Sequence, residues 1–431
     1  MLLEFSVENY LSFKDRATFS MLASDDTEHE DTNVVTLSDG KRLLKSAVIY
    51  GANASGKSNL INAMNFMSSF VYFSQERKPD EPINIEPFAL DENYKNKPSK
   101  FDVIFYKDGV QYAYGFTLTA KDVLEEYLYY FESDKQHTIF ERVNINEYNF
   151  NDEHGENPDQ QMLEYFRQFI ANNKLYLSVA VMLNYNKVMG AYNWIIDMYP
   201  YSNNAPYHIL RTGYFDANAD KEKNDGIVKM AINWVKKMDA GITDIQINGD
   251  KELFKDNYFN EGKYTWDNYV KILNNIISIH EVNKGDGTQY EVKFKFYSNE
   301  SDGTRTFFSI ALAIAEKMSR ESVFLKDELS SALHTLLSRY IVEVFNNAEN
   351  ASNSQLIFTT HDTNLLDLDL FRRDQIWFVE KNPETGATDV YSLSDFGNKT
   401  DANVEKGYLL GIYGAIPFIG SDSSSGGGVN G

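Results

Sequence analysis

The sequence contains no cysteine. That excludes disulfide scaffolds, thiolate zinc sites, cysteine nucleophiles and iron–sulfur clusters held by cysteine. It also lacks any apolar run of about eighteen residues, the length a membrane-crossing helix needs, so no membrane contact is expected. Basic residues are few: 41 Lys and Arg stand against 63 Asp and Glu, a formal net charge of −22. A chain of that charge repels polyanions, and nucleic acid could be met only through a local groove or a partner. Met1 to Phe13 carries Glu4 and Glu8 where a secretory leader would have a basic start and an unbroken apolar stretch. The expectation is a cytoplasmic protein.

Apolar and aromatic residues are plentiful. With 431 residues, 42% hydrophobic and 14% aromatic, the chain can fill a large core and hold two or three domains. Leu3, Phe5 and Val7 alternate with Glu4, Ser6 and Glu8, the period of a half-buried strand, and a second strand is expected at Ala17–Met21. Segment 22–42 is polar and acidic and reads as a loop. Lys45–Tyr50 is a short apolar run that stops at Gly51, and a helix begins near Lys57 with Leu60, Ile61, Met64 and Met67 on one side. From 85 to 140 the pattern predicts a meander of antiparallel strands, with Asp108-Gly109 as a hairpin signal. Segment 144–160, rich in Asn, Asp and Glu, reads as a mobile loop, and 161–290 as mostly helical, clearest at Met162–Ile170 and Ile227–Met238. Beyond Tyr290 the expected order is a strand to Phe296, an apolar helix at Thr304–Met318, a strand at Ser322–Leu325 and a helix at Leu336–Asn346. Strands at Gln355–Thr359 and Gln375–Val379 follow. The Gly/Ser-rich segment 420–431 is expected to be disordered.

Gly51-Ala-Asn-Ala-Ser-Gly-Lys57-Ser58 fits G-x-x-x-x-G-K-[ST] and sits between an expected strand and an expected helix, as a phosphate cradle must. Gly51, Asn53, Ala54, Ser55, Gly56 and Asn59 are therefore candidates to surround ATP. Lys57 would neutralise its β and γ phosphates, and Ser58 would ligate Mg2+. Such a loop alone hydrolyses nothing, because a carboxylate must also hold the metal and a base must orient water. Asp-Glu occurs at 80, 91, 152 and 327, and only the last follows an apolar run, Val323-Phe-Leu, as an acidic pair ending a buried parallel strand would. Asp327 is assigned to the Mg2+ and Glu328 to the attacking water. Lys326 precedes them, which would be costly in a central strand unless the lysine is paired or at an edge.

Ser301-Asp-Gly303-Thr-Arg305, Ser330-Ser331-Ala-Leu-His334 and Phe358-Thr-Thr-His361-Asp follow in the order and spacing that resemble the signature loop, D-loop and H-loop of ABC-type ATPases. Each has a plainer reading: a turn capping the apolar helix, an N-cap, and one of seven histidines. Together with Leu3-Glu-Phe-Ser-Val-Glu-Asn-Tyr-Leu-Ser-Phe-Lys-Asp, Tyr112-Ala-Tyr-Gly-Phe and the Tyr408–Phe418 stretch, they give a chain that resembles the SMC/RecF-related ABC ATPases. Within these it is similar to the compact AAA-family ATPases of abortive infection, of AbiL type and OLD-like.

That resemblance implies an α/β fold, an ABC-ATPase head with mixed and parallel sheets flanked by helices and a mainly helical insertion. The lobes would be 1–143 and 290–419, the insertion 144–289 and the tail 420–431. It implies ATP hydrolysis with Mg2+ at sites shared by two copies, and two departures from the family pattern, Lys326 and the lack of a placed Q-loop, make slow or conditional turnover the expectation. Ser301, Gly303 and Ser331 of one copy would face the nucleotide of the other, with Glu328 and His361 acting within their own. Gln75 and Gln111 are the available candidates for a Q-loop. A homodimer or higher homo-oligomer in anti-phage defence is implied, answering DNA or a phage-derived trigger. About seventy residues follow His361, which leaves no room for a nuclease domain, so the effector is expected in trans, a TOPRIM-like nuclease. The alternative is a RecF/SMC-like repair ATPase that clamps DNA directly, against which the overall charge weighs.

Overall fold

The computed structural model describes residues 1–151, 157–198, 221–248, 273–331, 333–347, 350, 352–397 and 403–416. The chain opens with β1 Leu2–Glu8, β2 Ala17–Ser20, α1 Glu30–Asn33, β3 Val34–Thr36, β4 Arg42–Leu44, β5 Ser46–Tyr50 and α2 Lys57–Phe73. It continues through β6 Ser99–Lys107, β7 Val110–Leu118, β8 Val123–Glu132, β9 Lys135–Asn144 and β10 Glu147–Asn149. Then come α3 Gln160–Phe166, α4 Tyr176–Met182, α5 Met189–Asp197, α6 Lys221–Met238, β11 Asp244–Ile247, β12 Ile276–Asn283, β13 Gln289–Lys295 and α7 Phe296–Asn299. The last elements are α8 Asp302–Met318, β14 Val323–Lys326, α9 Thr335–Asn346, β15 Gln355–Thr359, β16 Ile376–Lys381, β17 Thr388–Ser392 and α10 Val404–Leu409.

Five strands form one sheet in the order β14-β15-β5-β16-β17, parallel except for the terminal β16–β17 pair. All five residues of β5 and of β15 are buried, which is why both read as unbroken short runs rather than alternating ones. Seven antiparallel strands form a second sheet, β10-β9-β8-β7-β6-β1-β2, whose β6–β7 turn holds Asp108 at φ 51° and Gly109 at φ 81°. One face of the parallel sheet, with Ala47, Ile49, Leu325 and Ile357, shares a core with α2 and the antiparallel sheet. The other, with Val48, Phe324, Leu356 and Phe358, packs against Phe308, Leu312 and Ile341 of α8 and α9.

The structure departs from the sequence reading in three places. Segment 22–42 is not a plain loop but carries α1, the short β3–β4 hairpin and its polar turn. Between 161 and 290 the helices are joined by strands β11 and β12, which pair with β13. Ile276, Ile277 and Ile279 are β-branched residues whose local preference is for strand, and the helical reading overrode it. Segment 144–160 begins with β10, while 152–156 and 420–431 lie outside the described residues.

The helices after β10 are fastened to the antiparallel sheet by Glu126, a buried residue of β8. Its carboxylate accepts the amide N–H groups of Tyr176 at 2.5 Å and Leu177 at 3.0 Å, at the start of α4, and the Tyr114 hydroxyl at 3.0 Å. From α4 the links run on to α2: Ser178 Oγ donates to the Val71 carbonyl at 2.6 Å, and the Leu175 amide donates to Ser74 Oγ at 2.7 Å. Burial raises the Glu126 pKa from 4.5 to about 7, against the lowering effect of these bonds and of Arg142. The folded chain therefore holds a proton that the unfolded chain releases, and this contribution to stability is lost as pH rises from the unfolded value through the folded one. Urea titrations between about pH 5 and 8 should show stability falling by up to about 1.4 kcal/mol per pH unit from this group, with Glu126→Gln removing that part of the slope. An unchanged slope in the variant would assign the pH dependence to other groups.

Candidate functional site

Three neighbouring parallel strands, β14, β15 and β5, release the chain at their carboxyl ends into Asp327–Glu328, Thr360–His361 and the 51–56 loop. Loops that leave adjacent parallel strands in this way converge on one edge of the sheet, where open α/β folds bind ligands. Asp327 and Glu328 act electrostatically on both Lys57 and His361 there, and Lys57 acts on His361.

The 51–56 loop turns back into α2 through Gly56, at φ 117°. A Cβ on Gly56 would lie 2.6 Å from Thr388 Oγ1 and 2.8 Å from Thr388 Cγ2. Gly51 is equally confined, since its Cβ would meet the Val379 carbonyl at 2.4 Å. Both glycines are thus required by β16 and β17 packed behind the loop. Thr388 Oγ1 bonds the Ser55 carbonyl and Ser12 Oγ, each at 2.8 Å, and Asn59 Nδ2 donates to Ser12 Oγ at 2.7 Å. The Lys57 ammonium is buried and donates to the Gly51 and Ala52 carbonyls at 2.8 and 2.9 Å. Burial lowers its pKa, with Asp327 and Glu328 opposing. Asn53, Ala54 and Ser58 are exposed, and the buried Ser55 Oγ has no hydrogen-bond partner among the described residues.

Thr359, the last residue of β15 and fully buried, donates its hydroxyl to Asp327 Oδ1 at 2.5 Å and accepts the Glu328 amide at 2.8 Å. Glu328 itself is left-handed, at φ 50°. Ser330 and Thr360 hydroxyls meet at 3.0 Å and tie the same two loops together. His361 projects from the edge exposed, with burial on its inner side and then the Lys57 charge holding its pKa below the ordinary imidazole value. Lys326 ends β14, an edge strand, and is only half-buried; burial lowers its pKa while Asp327 and Glu328 raise it. The edge position answers the cost that a central lysine would carry.

Ser301 and Gly303 are set differently. Ser301 is the N-cap of α8, its Oγ accepting the Thr304 amide at 3.1 Å, and no hydrogen bond among the described residues joins it or Gly303 to the 51–58 loop. Ser331 is exposed on the turn after Glu328, its amide bonded to the Glu328 carbonyl at 3.1 Å. His334 caps α9 through Nδ1, at 3.2 Å from the Leu336 amide, as the plainer reading had it. Gln75 lies beyond the far end of α2, about 25 Å along the helix from Lys57, and Gln111 sits in β7 with a buried Oε1. Sequence reading passed over Ser12, Thr359 and Thr388. Each acts across a long stretch of chain and carries no local pattern, although the Thr-Thr pair before His361 stood next to a residue already singled out.

The residues fit a nucleoside triphosphate with Mg2+. The orphaned Ser55 Oγ, the lysine that now bonds only its own loop, the exposed Ser58 and the carboxylate of Asp327 are the donor and acceptor types such a ligand needs. Among the described residues no three His, Asp or Glu side chains form a metal cluster. One carboxylate, one hydroxyl and the ligand's own phosphates are what Mg2+ ordinarily takes.

The family described as "AAA domain, putative AbiEii toxin, Type IV TA system" matches residues 46–367, a span that runs from β5 past His361. No curated protein matches the chain. Among solved structures, an SMC head domain from Thermotoga maritima is similar at 11% identity and a TM-score of 0.38, covering 91% of this chain and 98% of that one. An SmcHead bound to the C-winged helix domain of ScpA is similar at 12% identity and a TM-score of 0.40, covering 91% and 97%.

The confinement of Gly56 has a direct consequence for stability. Gly56→Ala combines a left-handed backbone with a clash against Thr388, and should cost more than the roughly 1 kcal/mol of the backbone conformation alone. Gly40 is also left-handed, at φ 86°, but faces open space, so Gly40→Ala isolates the backbone share. Equal losses in urea denaturation of the two variants would mean that Thr388 does not press on the loop.

Proposed function

The chain belongs to this AAA-domain family, and from that premise we propose that it is a Mg2+-dependent ATPase whose two copies close head to head and control an effector in anti-phage defence. The observation that carries the reading is the convergence of Gly51–Ser58, Asp327–Glu328 and His361 on one edge of a single parallel sheet. When bound, Mg-ATP supplies the phosphoanhydride bond and a cation that offsets the charge of its phosphates. Lys57 exchanges the Gly51 and Ala52 carbonyls for phosphate oxygens. The backbone of Asn53, Ala54, Ser55 and Gly56 lines the cradle, with Asn59 behind it on Ser12. Ser58 and Asp327 hold the metal, and the Glu328 carboxylate takes the proton of the attacking water. His361, whose pKa is held below the ordinary imidazole value by burial and by the Lys57 charge, offers a hydrogen bond to the terminal phosphate.

In this reading each site is completed by the partner copy. The N-terminus of α8, with Ser301 and Gly303, faces the terminal phosphate of the other copy, where helix amides and a hydroxyl suit an anion, and Ser331 approaches from the D-loop. Residues 1–143 and 290–419 act as the two lobes of a head, with 144–289 inserted between them. The trigger is DNA or a phage-derived molecule, and the effector is a separate protein, a TOPRIM-like nuclease. No helix among the described residues is long and apolar enough to cross a membrane.

Lys57→Ala should abolish ATP binding in equilibrium dialysis. Glu328→Gln should bind ATP, release no phosphate and elute as a dimer in size-exclusion chromatography with Mg-ATP; elution independent of nucleotide would reject the head-to-head arrangement. Gly303 gives a sharper test, since a Cβ there meets only Ser301 Oγ, at 3.8 Å. Gly303→Ala should melt like the parent yet lose the ATP-dependent dimer of the Glu328→Gln background.

A further inference from the structure

We infer that Thr359 is a positioning residue of this site: one hydroxyl sets both acidic side chains of the Asp327–Glu328 pair. The inference rests on the ATPase reading above and adds to it a residue to which that reading gives no role. Thr359 ends β15, the strand between β5 and β14, so it stands between the phosphate loop and the acidic pair. Its O–H donates to Asp327 Oδ1 at 2.5 Å, within the range of a charge-assisted bond, which leaves its lone pair to accept the Glu328 amide at 2.8 Å. Its carbonyl accepts the Leu329 amide at 3.0 Å. Three consecutive residues after β14 are thereby registered against one residue of β15.

Each bond does separate work. Tethering one oxygen of Asp327 directs the carboxylate, so that its other oxygen has a defined heading. Glu328, at φ 50°, occupies a backbone region that non-glycine residues enter at a cost, and the side chain's direction follows from that strained backbone. The Thr359 hydroxyl holds the strained amide in place. The Ser330–Thr360 contact joins the same loops but touches neither carboxylate, so it cannot substitute.

Thr359→Val keeps the β-branched shape that a buried strand favours and deletes only the hydroxyl, and Thr359→Ser restores it. Binding of ATP by calorimetry in EDTA should stay within about two-fold of the parent in both variants, because the phosphate loop is untouched. In Thr359→Val the gain in ATP affinity on adding MgCl2 should fall roughly 10- to 100-fold, as for other groups that orient a metal ligand, and kcat should fall while KM in EDTA-free buffer rises. Thr359→Ser should recover most of both. A valine variant with the parent's Mg2+ response and kcat would overturn the inference, and so would loss of ATP binding in EDTA, which would mark a general scaffold role. A parent protein that shows no Lys57-dependent ATP binding would instead bring down the ATPase reading itself and this inference with it.

Discussion

A strand paired in parallel on both edges and buried on both faces has no freedom of register, because a one-residue slip would exchange side chains between two different cores. β5 is in that position, between β15 and β16. Ala47 and Ile49 face the core shared with α2, while Val48 and Tyr50 face the core under α8 and α10. The point where the chain leaves β5 is set by these constraints, and so is the origin of the phosphate loop. β15 and β14 follow in register, Phe358 beside Val48 and Lys326 beside Phe358, so the next two loops emerge at matching heights. Apolar packing therefore does the coarse positioning of a site made of polar residues.

The two ends of the parallel strands are treated differently. At the amino ends neutral amides and fully paired charges close the sheet: Gln375 Nε2 donates to the Ser46 carbonyl at 2.9 Å, Asn33 Nδ2 donates to Gln375 Oε1 at 2.7 Å, Gln355 bonds Leu2 and Leu44, and the buried Arg372 guanidinium pairs with Asp374 at 2.8 Å. Satisfied neutral groups can be buried at little cost and hold one arrangement. At the carboxyl ends the groups are ionisable, and several have only local partners. Lys57 bonds carbonyls of its own loop, and Ser55 Oγ bonds nothing among the described residues.

Charge shows the same division. The chain carries a net −22, yet Lys57 and Lys326 stand beside Asp327 and Glu328 at the carboxyl-end edge of the parallel sheet. Burial disfavours both ammonium charges and the carboxylates favour them, so the lysines sit where an arriving anion would find cations already partly stripped of water. Lys326, out of place for a central strand, is accommodated because β14 is the sheet edge and Lys326 its last residue.

Local chemistry made much of this legible. The strand before Gly51, the helix after Lys57, the Asp108-Gly109 hairpin, the apolar α8 and the strand at Gln355–Thr359 each announce themselves by periodicity or turn residues within a dozen positions. The Gly51–Ser58 motif and the Asp327–Glu328 pair could be singled out because the chemistry proposed for them demands particular residue types at close spacing, and the fold brings both to one edge of the parallel sheet. β11 and β12 were not legible: β11 pairs with residues some thirty positions away, and β12 was read as helix although a short hairpin joins it to β13, a strand the pattern did predict. Nor was the confinement of Gly56, where a Cβ would meet Thr388, over three hundred residues away in the chain. Thr359 likewise shows no signal of its own, because a threonine in a buried strand looks like any β-branched residue until the fold puts the Asp327 carboxylate and the Glu328 amide beside it. The sequence alone determined which groups can do chemistry, and the tertiary structure decided which of them meet, since contacts across hundreds of residues depend on how sheets and helices pack.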